Sequence, residues 1–193
     1  MKSILLLFAF PLIVAVRAEA QQSPEYLKAP VSWEFERFAL PPGFSAGFPY
    51  KGVEELRFSP GMFKKDSADY FSYAFVARLD NTPALTREDV QNYLLLYFKG
   101  LCASTAQQRK LMIDTNKITV SIEKAGNGSG EYNAILRVFG VFADGAPVTL
   151  NAEVKVLTGK DTTYLVFIAS PQKKTHPIWQ VLKDIKSRFS VPG

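Results

Sequence analysis

His176 is the one histidine of the 193-residue sequence and Cys102 the one cysteine. The residue types that most often carry nucleophilic catalysis and transition-metal ligation therefore occur once each. A Ser-His-Asp or Cys-His nucleophile would have to recruit His176. That residue stands in Thr175-His176-Pro177, where its ordinary role is to precede or cap a helix. A zinc site takes three or four N/S ligands, more than one histidine and one cysteine can supply. A lone cysteine also leaves no internal disulfide. Cys102, near the end of an apolar helical stretch, reads as a buried, inert thiol. Gly128-Ser129-Gly130 lies in a loop with no helix after it, so neither a nucleophile elbow nor a phosphate cradle is indicated. Asn127-Gly128-Ser129 matches a glycosylation sequon, a pattern frequent by chance. No cofactor and no metal are expected.

Carboxylates are the next candidates. Glu54 and Glu55 are adjacent, so on a strand they point to opposite faces and cannot act as one acid/base pair. Glu34 and Glu36 share a face opposite Trp33 and Phe35, the pattern of a solvated side of an edge strand. A glycosidase needs two carboxyls about 5–10 Å apart in a cleft, which no spacing here dictates. Recognition remains. Glu55 and Arg57 lie on one face of a strand, and Arg78 and Arg137 fall within apolar strands, where a charge is costly unless paired. They read either as structural ion pairs and outward-facing side chains, or as a polar or anionic ligand site aided by Tyr70 and Tyr73. The aromatic segment with Phe44, Phe48 and Tyr50 either packs on the core or presents an exposed contact patch.

The elements that must position these residues follow from periodicity. Strands are expected at 33–36, 53–58, 70–79, 118–123, 132–142, 148–156 and 163–169, from alternation or apolar runs bounded by Gly, Pro, Asn and Asp. Ser59-Pro60-Gly61-Met62 suits a type II turn with positive φ at the glycine. Thr86, with Asp89 three residues on, starts a helix through a weaker form of the capping box. Val90, Leu94, Tyr97, Phe98 and Leu101 form its apolar stripe, and the pattern fades between Gly100 and Gln108. A last helix begins near Pro177 and carries Ile178, Val181, Leu182, Ile185 and Phe189. Short turns in the second half force antiparallel neighbours. The expectation is α+β: an α/β sandwich on a mostly antiparallel sheet of about seven strands, ordered βββαββββα, in one domain over 33–193. The apolar run at 164–169 implies helices on both faces of the central strands. The strands at 118–123 and 148–157 each have a polar face, so part of the sheet is expected to meet water.

Upstream, the uncharged run Ile4–Val16 follows Lys2 and precedes Ala18-Glu19-Ala20. Too short to span a bilayer comfortably, it reads as a signal peptide over 1–20, cleaved before Gln21 or before Glu19; the alternative is an uncleaved anchor. Residues 21–32 read as a flexible, proline-marked lead-in. The formal charge of +5 becomes +4 without Lys2, Arg17 and Glu19, and its basic residues are scattered, so nucleic acid is not an expected partner.

The stretch Gly52-Val53-Glu54-Glu55-Leu56-Arg57-Phe58-Ser59-Pro60-Gly61-Met62-Phe63, with Trp33-Glu34 upstream and Tyr97-Phe98-Lys99-Gly100-Leu101 downstream, resembles exported bacterial proteins of an uncharacterised family. The element order, ending in a helix with Ile178-Trp179-Gln180-Val181-Leu182, resembles the PsbP-like fold, which includes extrinsic photosystem subunits. Neither resemblance brings an active-site motif, and fold alone does not transfer function. The expected role is a periplasmic or secreted, non-catalytic module binding a protein partner or small ligand through the open sheet face or the segment 41–63. The alternatives are an enzyme working through carboxylates, such as a hydrolase, and an accessory subunit of an envelope complex.

Overall fold

The computed structural model describes residues 25–45, 47–126 and 130–192. The expected signal peptide and the tip of the glycine-rich hairpin loop lie outside the described residues. Seven strands form one sheet: β1 (Glu34–Leu40), β2 (Gly52–Phe58), β3 (Tyr73–Asp80), β4 (Thr119–Lys124), β5 (Glu131–Phe139), β6 (Pro147–Thr158) and β7 (Thr162–Ser170). Their order is β1-β2-β3-β7-β6-β5-β4, and every neighbouring pair is antiparallel. Helix α1 (Arg87–Arg109) and helix α2 (Ile178–Ser187) complete the expected α+β sandwich. No described helix is long and apolar enough to cross a membrane.

Two hairpin-built halves meet at β3 and β7, in a register that sets Tyr73 opposite Ala169 and Leu79 opposite Thr163. Both central strands are apolar on both faces because both faces are covered. Phe75, Ala77, Leu79, Leu165 and Phe167 belong to the core under α1. Ala74, Val76, Val166 and Ile168 belong to a second core under α2, with Leu182 and Ile185. Helix α2 packs on β7 and β3, so the outer part of its face stays open. There Thr119, Ser121, Glu123, Ile135 and Arg137 are exposed, while Val120, Ile122, Leu136 and Val138 beside them are buried under α1. The water-facing half of the sheet is as the alternation predicts.

Helix α1 starts where expected. The Thr86 side chain accepts from the Asp89 N–H, and the Asp89 carboxylate accepts from the Thr86 N–H, a complete capping box. It continues to Arg109, past the point where its periodicity fades. Gly100 does not interrupt it, because the missing side chain admits the Phe44 carbonyl oxygen, which a Cβ would approach to 2.5 Å. Packing against the 41–50 segment thus outweighs the weak helix propensity of glycine.

Two local expectations are corrected. The turn at Ser59–Met62 is closed by a Met62 N–H to Ser59 carbonyl bond of 2.9 Å, but Gly61 is not among the positive-φ residues, so it is not type II. Gly61 is there for close approach: a Cβ would lie 1.9 Å from Asp69 Oδ1, and its N–H donates to Asp69 Oδ2 at 3.0 Å. Strand β3 begins at Tyr73 rather than Tyr70, because Phe71 takes a φ of 49° and turns the chain.

Gly52 combines a φ of +141° with a virtual Cβ 1.9 Å from the Arg78 carbonyl oxygen, whereas a Cβ on Gly43 meets nothing within 4 Å. Gly52→Ala is therefore expected to cost about 2 kcal/mol or more in urea unfolding. Gly43→Ala should stay within about 0.5 kcal/mol of the parent.

Candidate functional site

The charged residues singled out on β2 divide by parity. Glu55 and Arg57 face α2, beside Arg37 of β1 and Arg78 of β3. Glu55 is fully buried and accepts the backbone N–H groups of Tyr26 and Leu27, each at 2.8 Å, and the guanidinium groups of Arg37 and Arg57 at 2.5 and 3.3 Å. Arg57 donates to the Leu27 carbonyl at 3.2 Å and to Glu25 at 2.7 Å, and it lies 4.3 Å over the Phe35 ring. The segment whose composition reads as a flexible lead-in is, from Glu25 to Ala29, a strap laid on the sheet, with Leu27 wholly buried. Arg78 pairs with Asp80 at 3.1 Å, and its Nε is buried without a hydrogen-bond partner. These groups bind the protein's own N-terminal strap and form its structural ion pairs.

Glu54 sits on the opposite face, also fully buried. The Tyr93 and Tyr97 hydroxyls of α1 donate to its two oxygens at 3.0 and 2.7 Å. Burial raises its pKa to about 8, against the lowering effect of the two tyrosine bonds, and Glu36 raises it further. Glu54 is therefore neutral near pH 7, a carboxylic acid holding α1 to β2. Burial likewise drives both tyrosine pKa values far up.

Beside this triad lies a cavity of about 230 Å³. Strand residues Glu36, Phe38, Leu56, Phe58 and Tyr73 form one wall, and Tyr97 and Leu101 of α1 form another. The connecting segments close it with Phe44, Met62, Phe63, Phe71 and Phe142. The rings brace one another edge-on: Phe44 on Tyr97 at 5.1 Å, Phe63 on Phe142 at 5.3 Å and Phe71 on Phe142 at 5.4 Å. Exposed Glu36 and Phe63, which is 44% accessible, mark the mouth. Tyr73 is 2% accessible and marks the floor. Its hydroxyl is buried and has no hydrogen-bond partner, a costly state for a polar group.

Of the residues singled out from sequence, Phe44 and Tyr73 thus meet in one cavity, on the face opposite Glu55, Arg57 and Arg78. Phe48 is core, edge-on to Tyr93 at 4.8 Å, so the aromatic segment is packed at that point rather than presented outward. Tyr70 is buried against Gly140. His176 caps as expected, its Nδ1 accepting the Ile178 N–H at 3.2 Å. Cys102 is a buried free thiol whose pKa burial lifts to about 11. No group of three or more potential metal ligands occurs among the described residues. Sequence reasoning put Glu54 on the face opposite Glu55 but missed its burial and its tyrosine partners. Its signal was the spacing of Tyr93 and Tyr97, four residues apart on the helix face that meets the strand. No family model, no curated protein and no solved structure matches this chain.

Two outcomes follow. Glu55→Ala should cost about 3 kcal/mol, because it removes a buried acceptor shared by the Tyr26 and Leu27 N–H groups and by the Arg37 and Arg57 guanidinium groups, and should accelerate amide exchange at Tyr26 and Leu27. For Glu54, the folded pKa of about 8 exceeds that of an unfolded glutamate, so the native state holds the extra proton between the two values. Its contribution is full below the unfolded pKa and declines as pH rises toward 8. Glu54→Gln should remove this slope, so that the difference in Tm between variant and parent shifts in the variant's favour from pH 5 to pH 8.

Proposed function

We propose that this chain is an exported, non-catalytic binding protein, and that its ligand is a small, largely apolar molecule held in the aromatic cavity between β1, β2 and α1. The observation that carries this reading is the cavity itself, walled by aromatic and aliphatic side chains, with Glu36 as the charged residue of its lining. Such a wall would take the apolar part of a ligand out of water and leave any polar end at the exposed mouth. The volume of about 230 Å³ lies below that of drug-sized sites and suits one aromatic ring or a short branched chain. The export part of the reading rests on the apolar run and the Ala-x-Ala pattern of residues 4–20. The enzymatic alternative needs two carboxyls converging on one reacting atom. Glu36 alone lines the cavity, and Glu54 reaches its wall only through the Tyr97 hydroxyl, which favours binding over hydrolysis.

Titration of isotope-labelled protein with benzyl alcohol should shift resonances of Phe63, Phe142 and Tyr73 and leave the α2 face unchanged. Leu101→Trp, which fills the cavity from α1, should weaken binding about ten-fold or more while the chain still melts cooperatively. No perturbation at millimolar probe, or shifts only outside the cavity, overturns the proposal.

A further inference from the structure

We infer that the protein pairs with a second copy of itself through edge strand β4, antiparallel about a twofold axis at Ser121, so that two sheets become one. None of the residues lining the aromatic cavity belongs to β4, so this surface is separate from that site. Strand β4 ends the sheet, with β5 on one side and no described strand on the other. Its leftover backbone groups follow from the alternation of an antiparallel ladder. The Ala125 N–H donates to the Glu131 carbonyl at 2.9 Å. Glu123, Ser121 and Thr119 are then the residues bonded to their partners Asn133, Ile135 and Arg137 on β5. Val120, Ile122 and Lys124 turn their N–H and C=O groups outward. The two edges of the sheet differ in charge. Strand β1 carries Glu34, Glu36 and Arg37, and two copies joined about its middle would set Arg37 against Arg37, which is unfavourable. Strand β4 is uncharged from Thr119 to Ile122, contains no proline and pairs with β5 without a bulge. It therefore lacks the devices that blunt an exposed edge.

The strand is also complementary to itself. With the axis at Ser121, Val120 lies opposite Ile122 of the second copy and Thr119 lies opposite Glu123. Each pair shares a face, so the buried α1 side and the exposed open side of both copies stay continuous. Val120 and Ile122 exchange backbone bonds with Ile122 and Val120 of the second copy. Each Lys124 N–H also reaches the second copy's Ile118 carbonyl, since Ile118 is extended, with φ −73° and ψ 124°. On the open face Glu123 comes diagonal to the second copy's Lys117, within reach of a cross-strand ion pair. Both side chains are exposed, and neither takes part in an ion pair among the described residues. Charge and backbone together select this register. An axis at Val120 would set Lys124 against Asn116, which lies in the 3-10 turn Thr115–Lys117, and lose its bond. An axis at Ile122 would take Glu123 away from Lys117.

Analytical ultracentrifugation of the purified protein should show a concentration-dependent dimer. Ser121 is exposed, and Ser121→Lys sets two lysines face to face at the axis. It should raise the dissociation constant about five-fold or more while the variant melts as the parent does. Disulfide trapping tests the register itself. Ser121 meets its counterpart in a non-hydrogen-bonded pair, with Cα atoms about 4.5 Å apart, a separation that a disulfide can span. Ser121→Cys should therefore cross-link two chains on mild oxidation. Thr119→Cys and Glu123→Cys should each fail to cross-link alone, yet cross-link when the two variants are mixed. Cys102 is buried and stays out of the reaction. A parent that is monomeric at every concentration overturns the proposal. So does a Ser121→Lys variant that dimerises as tightly as the parent, or cross-linking that departs from this pattern, since either would put the dimer contact on another surface.

Discussion

The pairing of β3 with β7 joins two separately built meanders, and the parity of that pairing decides which side chain goes to which core. Tyr73 opposite Ala169 and Phe75 opposite Phe167 send one set of side chains under α1, and the intervening residues go under α2. A slip of one residue would invert both faces at once. It would move Val76 and Val166 to the aromatic side and Phe75 and Phe167 to the side that packs on Trp179. The register also carries into β2, whose parity relative to β3 puts Glu54 and Glu55 on their respective faces.

Those two glutamates show how a sheet covered on both faces handles adjacent acids. Glu55 is surrounded by donors, two backbone amides and two guanidinium groups, so its charge is matched. Glu54 has two hydroxyl donors and no cation, and the cost of desolvation there is met by keeping the proton. Identical neighbours in the chain are therefore an ion-pair centre and a neutral acid, 180° apart around one strand.

The cavity is a consequence of how α1 crosses the sheet. The helix packs on the outer strands β4 and β5, is tied to β2 through Tyr93, Tyr97 and Glu54, and faces the cavity with Tyr97 and Leu101. The space between helix and sheet is filled from the side by aromatic residues of the 41–50, 59–72 and 140–145 segments. Those rings stabilise one another edge to face, and their packing leaves the Tyr73 hydroxyl without a protein partner.

The strands and their succession along the chain, the capping box at Thr86, the helix start at Pro177 and the half-open sheet followed from period two, period 3.6 and turn chemistry, which are local properties, whereas the pairing of β3 with β7 was left to the fold. The inertness of Cys102 and the capping role of His176 followed from their neighbours. The opposite orientation of Glu54 and Glu55 was equally legible, because it depends only on the pleat. The tertiary structure decided that both are buried, since burial depends on the strap at 25–29 and on α1, which are distant in sequence. It also decided that Phe44 and Tyr73 share a cavity while Phe48 does not. Turn geometry at Gly61 was decided by Asp69, eight residues away and brought close only in the fold. Periodicity assigns a residue to a face; only the packed chain decides what covers that face and where a space is left.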